Sequence, residues 1–245
     1  MFKQDIYIVK SNKCIAKNTY EMVLEGDASC LVKPGQFINI KIEGLFLRRP
    51  ISVCDYSENE ITIIYKVVGK GTDIMSEMNK GDKLDILVGL GNGFDISKSG
   101  KNPVLIGGGA GVPPMYSVAK HLIENGIEPV AVLGFNTKDE VFYKEEFEKL
   151  GVKTLITTVD ASVGIKGFVT DAMKTLNDYS YFYACGPEPM LRAVYNESKT
   201  SGQLSFEERM GCGFGACMGC SCETKYGNKR ICKDGPVLEK EEIIW

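Results

Sequence analysis

Five of the nine cysteines in this chain fall between positions 212 and 232, in the run CGFGACMGCSC followed by KRIC. Cys212, Cys217 and Cys220 are spaced C-x4-C-x2-C, and Cys232 follows after eleven intervening residues. In a reducing compartment, clustered thiols indicate metal or redox chemistry rather than a disulfide framework. The spacing matches a plant-type [2Fe–2S] site, in which a tight loop delivers three thiolates and a later segment the fourth. Gly211, Gly213, Gly215 and Gly219 suit such a loop, which needs unusual backbone angles and amide groups aimed at sulfur. The competing reading is a non-enzymatic zinc-binding interaction module. Four-cysteine zinc sites usually show two well-separated CxxC pairs, and the x4–x2 asymmetry argues against one. Cys222 is a fifth thiol that leaves the third ligand open between Cys220 and Cys222. Cys220 completes the spacing, so the expected metal set is Cys212, Cys217, Cys220 and Cys232.

The rest of the chain divides by texture into residues 1–100, 101–202 and 203–245. In the first region, short alternating or β-branched runs such as Gln36–Ile42 and Glu60–Val68 are split by Lys33-Pro34-Gly35 and Gly69-Lys70-Gly71. Such strands predict an antiparallel barrel or sandwich. In the second, Pro103–Ile106, Pro129–Phe135, Lys153–Val159 and Tyr181–Ala184 read as buried strands. Met115, Val118, Ala119, Leu122 and Ile123 lie at helical spacing between the first two, with Pro113 and Pro114 in the first turn. Asp139–Leu150 and Pro187–Lys199 are further helix candidates. This alternation predicts a parallel sheet covered by helices. The last region is too short to bury a core unaided, and a metal centre is its natural staple.

Two further motifs carry chemistry. GGGAGVPPM (Gly107 to Met115) links a strand to a helix, as a dinucleotide loop does, with Gly109 and Gly111 admitting phosphates at a helix N-terminus. Pro114 takes the place of the third glycine of G-x-G-x-x-G, and a plain tight turn is the alternative. RRPIS (Arg48 to Ser52) and IYKVVGKGT (Ile64 to Thr72) offer an Arg and a Ser on strands, able to clamp a pyrophosphate and bond a flavin edge. Alone they read equally as ordinary strands with surface charge.

The net charge is −3 with a pI near 5.5, which draws the chain toward neither nucleic acid nor anionic lipid. No apolar run approaches the roughly 20 residues that span a bilayer, and the N-terminus lacks a signal peptide's features, so a cytoplasmic location is expected. His121 is the single histidine, which removes most His-based catalysis and metal ligation.

In their order along the chain, these motifs resemble the ferredoxin–NADP reductase superfamily. Within it, LRRPIS, GKGT, LGFNTKDEVFY, EERMGCGFGACMGC and CKDGPV are similar to the electron-transfer subunits of class B dihydroorotate dehydrogenases. The resemblance implies an N-terminal flavin-binding barrel, a central NAD-binding α/β domain and a C-terminal [2Fe–2S] module. It implies FAD contacts from Arg49, Pro50, Ile51 and Ser52, and from Ile64, Tyr65, Lys66, Gly71 and Thr72. Lys66 stands where many members of the superfamily carry Arg, and it lacks the bidentate fork. Gly108, Gly109 and Gly111 would meet the nicotinamide nucleotide, with Cys185 and Gly186 of CGPEPM beside the nicotinamide. No catalytic acid or base is expected. The implied partner is an FMN-containing catalytic subunit that oxidises dihydroorotate, in a heterotetramer serving pyrimidine biosynthesis. Electrons would run from the cluster to FAD and then to NAD. Asp139 and Glu140, near the end of the second α/β strand, would disfavour a 2′-phosphate and so NADP. A ferredoxin- or hydrogenase-linked NAD(P)H reductase subunit would share the same build.

Overall fold

The computed structural model describes residues 2–245. Six strands build its first part: Lys3–Ala16 (β1), Thr19–Glu25 (β2), Phe37–Ile40 (β3), Arg49–Tyr56 (β4), Glu60–Lys66 (β5) and Lys83–Leu90 (β6), with a short helix, Lys70–Ser76 (α1), after β5. All pairings are antiparallel and the sheet closes in the order β1-β2-β5-β4-β3-β6. Alternate residues point inward, and Tyr7, Val9, Met22, Leu24, Ile38, Ile40, Ile61, Ile63, Ile86 and Val88 fill the interior. Closure pairs every edge, which settles the choice between barrel and sandwich that alternation alone left open.

The second part runs Val104–Gly108 (β7), Val112–Glu124 (α2), Val130–Phe135 (β8), Lys144–Lys149 (α3), Lys153–Thr158 (β9), Ile165–Lys166 (β10), Val169–Met173 (α4), Phe182–Cys185 (β11), Glu188–Glu197 (α5) and Gly202–Ser205 (β12). A hairpin of Ser221–Thr224 (β13) and Gly227–Arg230 (β14) follows, then Val237–Glu239 (β15). The central sheet has the order β10-β9-β8-β7-β11-β12-β15, parallel throughout except where β15 runs antiparallel to β12. Apolar residues of α2 and α3 (Met115, Val118, Leu122, Phe147) pack on one face. Those of α4 and α5 (Val169, Ala172, Leu191, Val194) pack on the other, so both faces of the near-continuously apolar strands are covered.

Two expectations change. The helix read over Asp139–Leu150 is a 3-10 turn at Lys138–Glu140 followed by α3, and Tyr143 breaks it with a left-handed φ of 64°. Tyr143 donates to Glu21 Oε2 at 2.8 Å, and Phe142 packs edge-on to Phe135 at 5.4 Å. Docking Tyr143 on the barrel and Phe142 on the central sheet outweighs a continuous local helix. Residues 203–205, assigned from texture to the third region, lie within β12, and β15 beyond the cysteines pairs beside them. The cysteine segment is thus an insertion between two neighbouring strands of the central sheet.

Candidate functional site

The barrel and the sheet meet at α2. Lys120 Nζ lies 2.7 Å from Asp55 Oδ1, and His121 Nε2 is 3.0 Å from the Tyr56 hydroxyl, so the helix rests on β4. His121 Nδ1 stands 2.8 Å from the Ser117 carbonyl, which only accepts, so Nδ1 carries the proton and Nε2 accepts from Tyr56. The lone histidine is a joint between the two parts.

Beside this joint opens a cavity of about 820 Å³. From the barrel it is lined by Pro50, Ile51, Ser52, Ile64, Tyr65, Lys66 and Thr72, and from the sheet by Gly108, Gly109, Gly111, Cys185 and Gly186. Every nucleotide residue read from the sequence lines it except Arg49 and Gly71, which pack on each other: a Cβ on Gly71 would lie 2.2 Å from Arg49 Nε. Arg49 also donates to the Leu47 carbonyl at 2.5 Å. The Thr72 hydroxyl is used within its own turn, accepting from Val68 N at 3.0 Å and donating to the Gly69 carbonyl at 3.0 Å. Tyr65 donates to Asn12 Oδ1 at 2.9 Å, and burial holds its phenol well above the usual range.

The glycine-rich turn opens α2, whose first amides have no partner within the helix and suit an anion. Its glycines differ in purpose. Gly109 has φ +51° with open space around it, whereas a Cβ on Gly111 would lie 2.0 Å from the Cys185 carbonyl oxygen. Gly111 therefore serves close packing of the helix start on the end of β11. Cys185 is buried, and burial, reinforced by Glu207, pushes its thiol up to about 12. It is a neutral, unreactive floor.

Sequence reading missed two walls. Asn136, Thr157, Val159 and Gly167–Thr170 line a wing at the ends of β8 and β9, and Ser205–Glu208 with Met210 line the side that leads into the cysteine loop. Of the first wall only Asn136 falls in a motif, the run LGFNTKDEVFY, and the strand ends signal the rest. Of the second, Glu207, Glu208 and Met210 belong to the run EERMGC, whose cysteine draws attention away from them. Of Lys138, Asp139 and Glu140, only Glu140 lines the cavity.

In the cysteine loop, Gly213 (φ +81°) and Gly215 (φ +90°) turn the backbone so that amides face sulfur. Cys212 Sγ accepts from Ala216 N at 3.2 Å and Cys217 N at 3.5 Å. Burial raises the Cys212 thiol, but the amides of Cys217, Phe214 and Ala216 outweigh it and bring it down to about 6. Cys220 Sγ accepts from Cys232 N at 3.4 Å. Burial, then Cys220, pushes Cys232 up to about 12. The backbone joins the cysteines two by two, Cys217 N to Cys212 Sγ and Cys232 N to Cys220 Sγ. Among the described residues no three metal-donor side chains converge on one point. Two thiolates per iron is the arrangement a two-iron cluster takes, whereas one tetrahedral zinc gathers four donors at a point. The four residues therefore fit the cluster. Cys222 is half-buried on β13 opposite Lys229, outside these pairs. Phe214 at the loop's tip stacks on Phe2, ring centroids 5.3 Å apart.

Two family descriptions match. Residues 105–196 match an oxidoreductase NAD-binding domain, and residues 207–244 the iron–sulfur cluster binding domain of dihydroorotate dehydrogenase B. The chain is 46% identical over 251 residues to the dihydroorotate dehydrogenase B (NAD(+)) electron transfer subunit of Fusobacterium nucleatum subsp. nucleatum, covering 96% of each. It is 43% identical to the same subunit of Bacillus mycoides and 44% to that of a Geobacillus species, covering 100% of each chain in both cases. Among solved structures, a chain of the NADH-dependent reduced ferredoxin–NADP oxidoreductase superposes with a TM-score of 0.89 at 31% identity, covering 98% of this chain and 90% of that one. The ferredoxin reductase of carbazole 1,9a-dioxygenase shares the fold at a TM-score of 0.71 and 20% identity, covering 80% of this chain and 64% of its own.

Proposed function

Since the chain belongs to the family of electron-transfer subunits of NAD-dependent dihydroorotate dehydrogenase B, we propose that it carries electrons from a dihydroorotate-oxidising, FMN-containing catalytic subunit to NAD+, through a [2Fe–2S] cluster and FAD. The observation that carries this reading is the continuity of one cavity wall with the cysteine loop. Phe206, Glu207, Glu208 and Met210 line the cavity, and Cys212 follows two residues later. FAD, when bound, exchanges electrons singly with an iron–sulfur cluster and in pairs, as hydride, with NAD.

The chain's own residues bind, orient and insulate. Pro50, Ile51 and Ser52 on β4 face Ile64 and Tyr65 on β5, an apolar slot with a hydroxyl at its edge for a flavin ring. Lys66 offers its ammonium to a diphosphate at the mouth of that slot. Gly108 and Gly109 lead into α2, whose unpaired first amides would hold the diphosphate of a nicotinamide nucleotide. Gly111 locks that helix start to Cys185 and Gly186, so the nicotinamide floor and the phosphate site move as one. The Cys185 thiol, kept neutral by burial, is no nucleophile toward a nicotinamide ring held above it. Amides aimed at the sulfurs of Cys212 and Cys220 would donate to these ligands and tune the cluster's electrostatics.

We read the domains as a FAD barrel over 1–100, a nucleotide region over 101–202 whose sheet β12 and β15 complete, and a cluster segment carried within 203–245. The assembly is read as two of each subunit. No helix among the described residues is long and apolar enough to cross a membrane, and we place the complex in the cytoplasm. Reconstitution with a class B catalytic subunit tests the whole: dihydroorotate-dependent NAD+ reduction is expected. Ferredoxin reduction without it would make the chain a different reductase subunit. A colourless protein with stoichiometric zinc would end both readings.

A further inference from the structure

Glu140 sits where the barrel meets the nucleotide region. Its Oε2 accepts from Lys66 Nζ at 3.1 Å and from Asn136 Nδ2 at 3.1 Å. Lys66 ends β5 in the barrel, Asn136 follows β8 in the sheet, and Glu140 closes the 3-10 turn Lys138–Glu140. All three line the cavity. The adjoining Asp139 carbonyl accepts from Lys17 N at 2.9 Å, so the turn is docked on the β1–β2 hairpin and its carboxylate is held in place. The Glu140 side chain is 17% exposed and that of Lys66 34%, which sets the pair apart from freely solvated surface pairs.

An ammonium has three donors but a single charge. A diphosphate reaching Lys66 meets a cation already paired, with a carboxylate a few ångströms behind it. We propose that Glu140 divides the charge of Lys66 with the FAD diphosphate, so that the nucleotide region sets how tightly the barrel holds FAD. This rests on the placement of FAD proposed above. It also gives the Lys at position 66 a physical role: an Arg fork can hold both anions bidentately, whereas a Lys must share one point charge between them. The cofactor contact is weakened, and it depends on an element of the neighbouring region.

The test is FAD titration into flavin-depleted full-length protein, followed by quenching of flavin fluorescence at low and high salt, with thermal melting alongside. Glu140→Gln keeps shape and acceptor while removing the charge. It is expected to lower the FAD Kd by about tenfold at low ionic strength, with the gap closing as salt screens the charge. Glu140→Ala, which also deletes the acceptor for Asn136, should move affinity in the same direction, and Lys66→Arg should tighten FAD as well. Lys66→Met should loosen it. If Lys66→Met loosens FAD while Glu140→Gln leaves the Kd unchanged or raises it, the proposal is overturned and the FAD placement stands. If Lys66→Met binds FAD as tightly as the parent, the placement of the diphosphate falls and takes the proposal with it.

Discussion

Replacing Gly111 by Ala places one methyl group between the start of α2 and the end of β11. The added Cβ would lie 2.0 Å from the Cys185 carbonyl oxygen, 2.3 Å from its carbonyl carbon and 2.6 Å from Gly186 N. Non-bonded heavy atoms prefer roughly 3.5 Å, so the two backbones must part by more than about 1 Å. No rotamer relieves this clash, because Cys185 is tied into parallel ladders with β7 on one side and β12 on the other. Overpacking a tight interior costs about 1–3 kcal/mol, and a forced backbone shift puts this case at the upper end. For a chain of this length about 3 kcal/mol lowers Tm by roughly 6–12 °C. The same displacement separates the phosphate site from the nicotinamide floor, and a misplacement of about 1 Å can cost about 100-fold in rate. The assay is NADH-dependent ferricyanide reduction by the isolated subunit, with FAD content read from its absorbance and stability from a melting curve. Gly109→Ala is the control. It meets nothing within 4 Å and bears only the strain of φ +51°, about 1–2 kcal/mol. A Gly111→Ala protein that melts within about 2 °C of the parent and keeps its NADH turnover would refute the packing argument, as would a larger drop in Tm from Gly109→Ala.

Other outcomes follow from the cysteine loop. Cys220→Ser should bleach the iron–sulfur absorbance while Cys222→Ser retains it; the reverse would assign the ligand to the wrong thiol. In cluster-free protein, the Cys212 thiol near 6 is already a thiolate at neutral pH, so its alkylation by iodoacetamide should rise through about pH 6 and then level off. Cys232, raised to about 12, should stay unlabelled over that range in peptide mass spectra. Labelling of Cys212 that begins only above about pH 8 would contradict the amide contacts. Phe214, 38% exposed at the loop's tip, should contribute to docking. Phe214→Ala is expected to weaken calorimetric binding of the catalytic subunit by about tenfold without changing NADH–ferricyanide turnover, and equal affinity would place the interface elsewhere.

The site was legible in the sequence where chemistry demands rare residues at set spacing, as with the cysteines, the glycine-rich turn and the RPIS strand. It was not legible where ordinary residues do the work. The wing formed by Thr157, Val159 and Gly167–Thr170 exists because parallel strands end side by side, a relation between distant segments that no local pattern records. The break at Tyr143 was hidden because its cause, a hydrogen bond to Glu21, lies 122 residues away. Gly111 has a packing reason that the sequence hides, since its neighbour, the Cys185 carbonyl, is equally remote. Glu140 read as a discriminator against an extra phosphate, and three-dimensional pairing turned it toward Lys66 instead.

The position of the cysteine segment has a consequence for how such a chain can change. Ser205 and Val237 are register partners in the sheet, and Phe206 N donates to the Pro236 carbonyl at 2.9 Å. The polypeptide leaves the sheet and returns to it through a single doorway. What lies between is a cassette in topology but not in packing. Cys220, Ile231 and Cys232 enter the sheet's core, and Phe206, Glu207, Glu208 and Met210 wall the cavity, so only its outward loop is free to be lengthened or exchanged. Changing that loop changes what can reach the cysteines while the strands beneath keep their register.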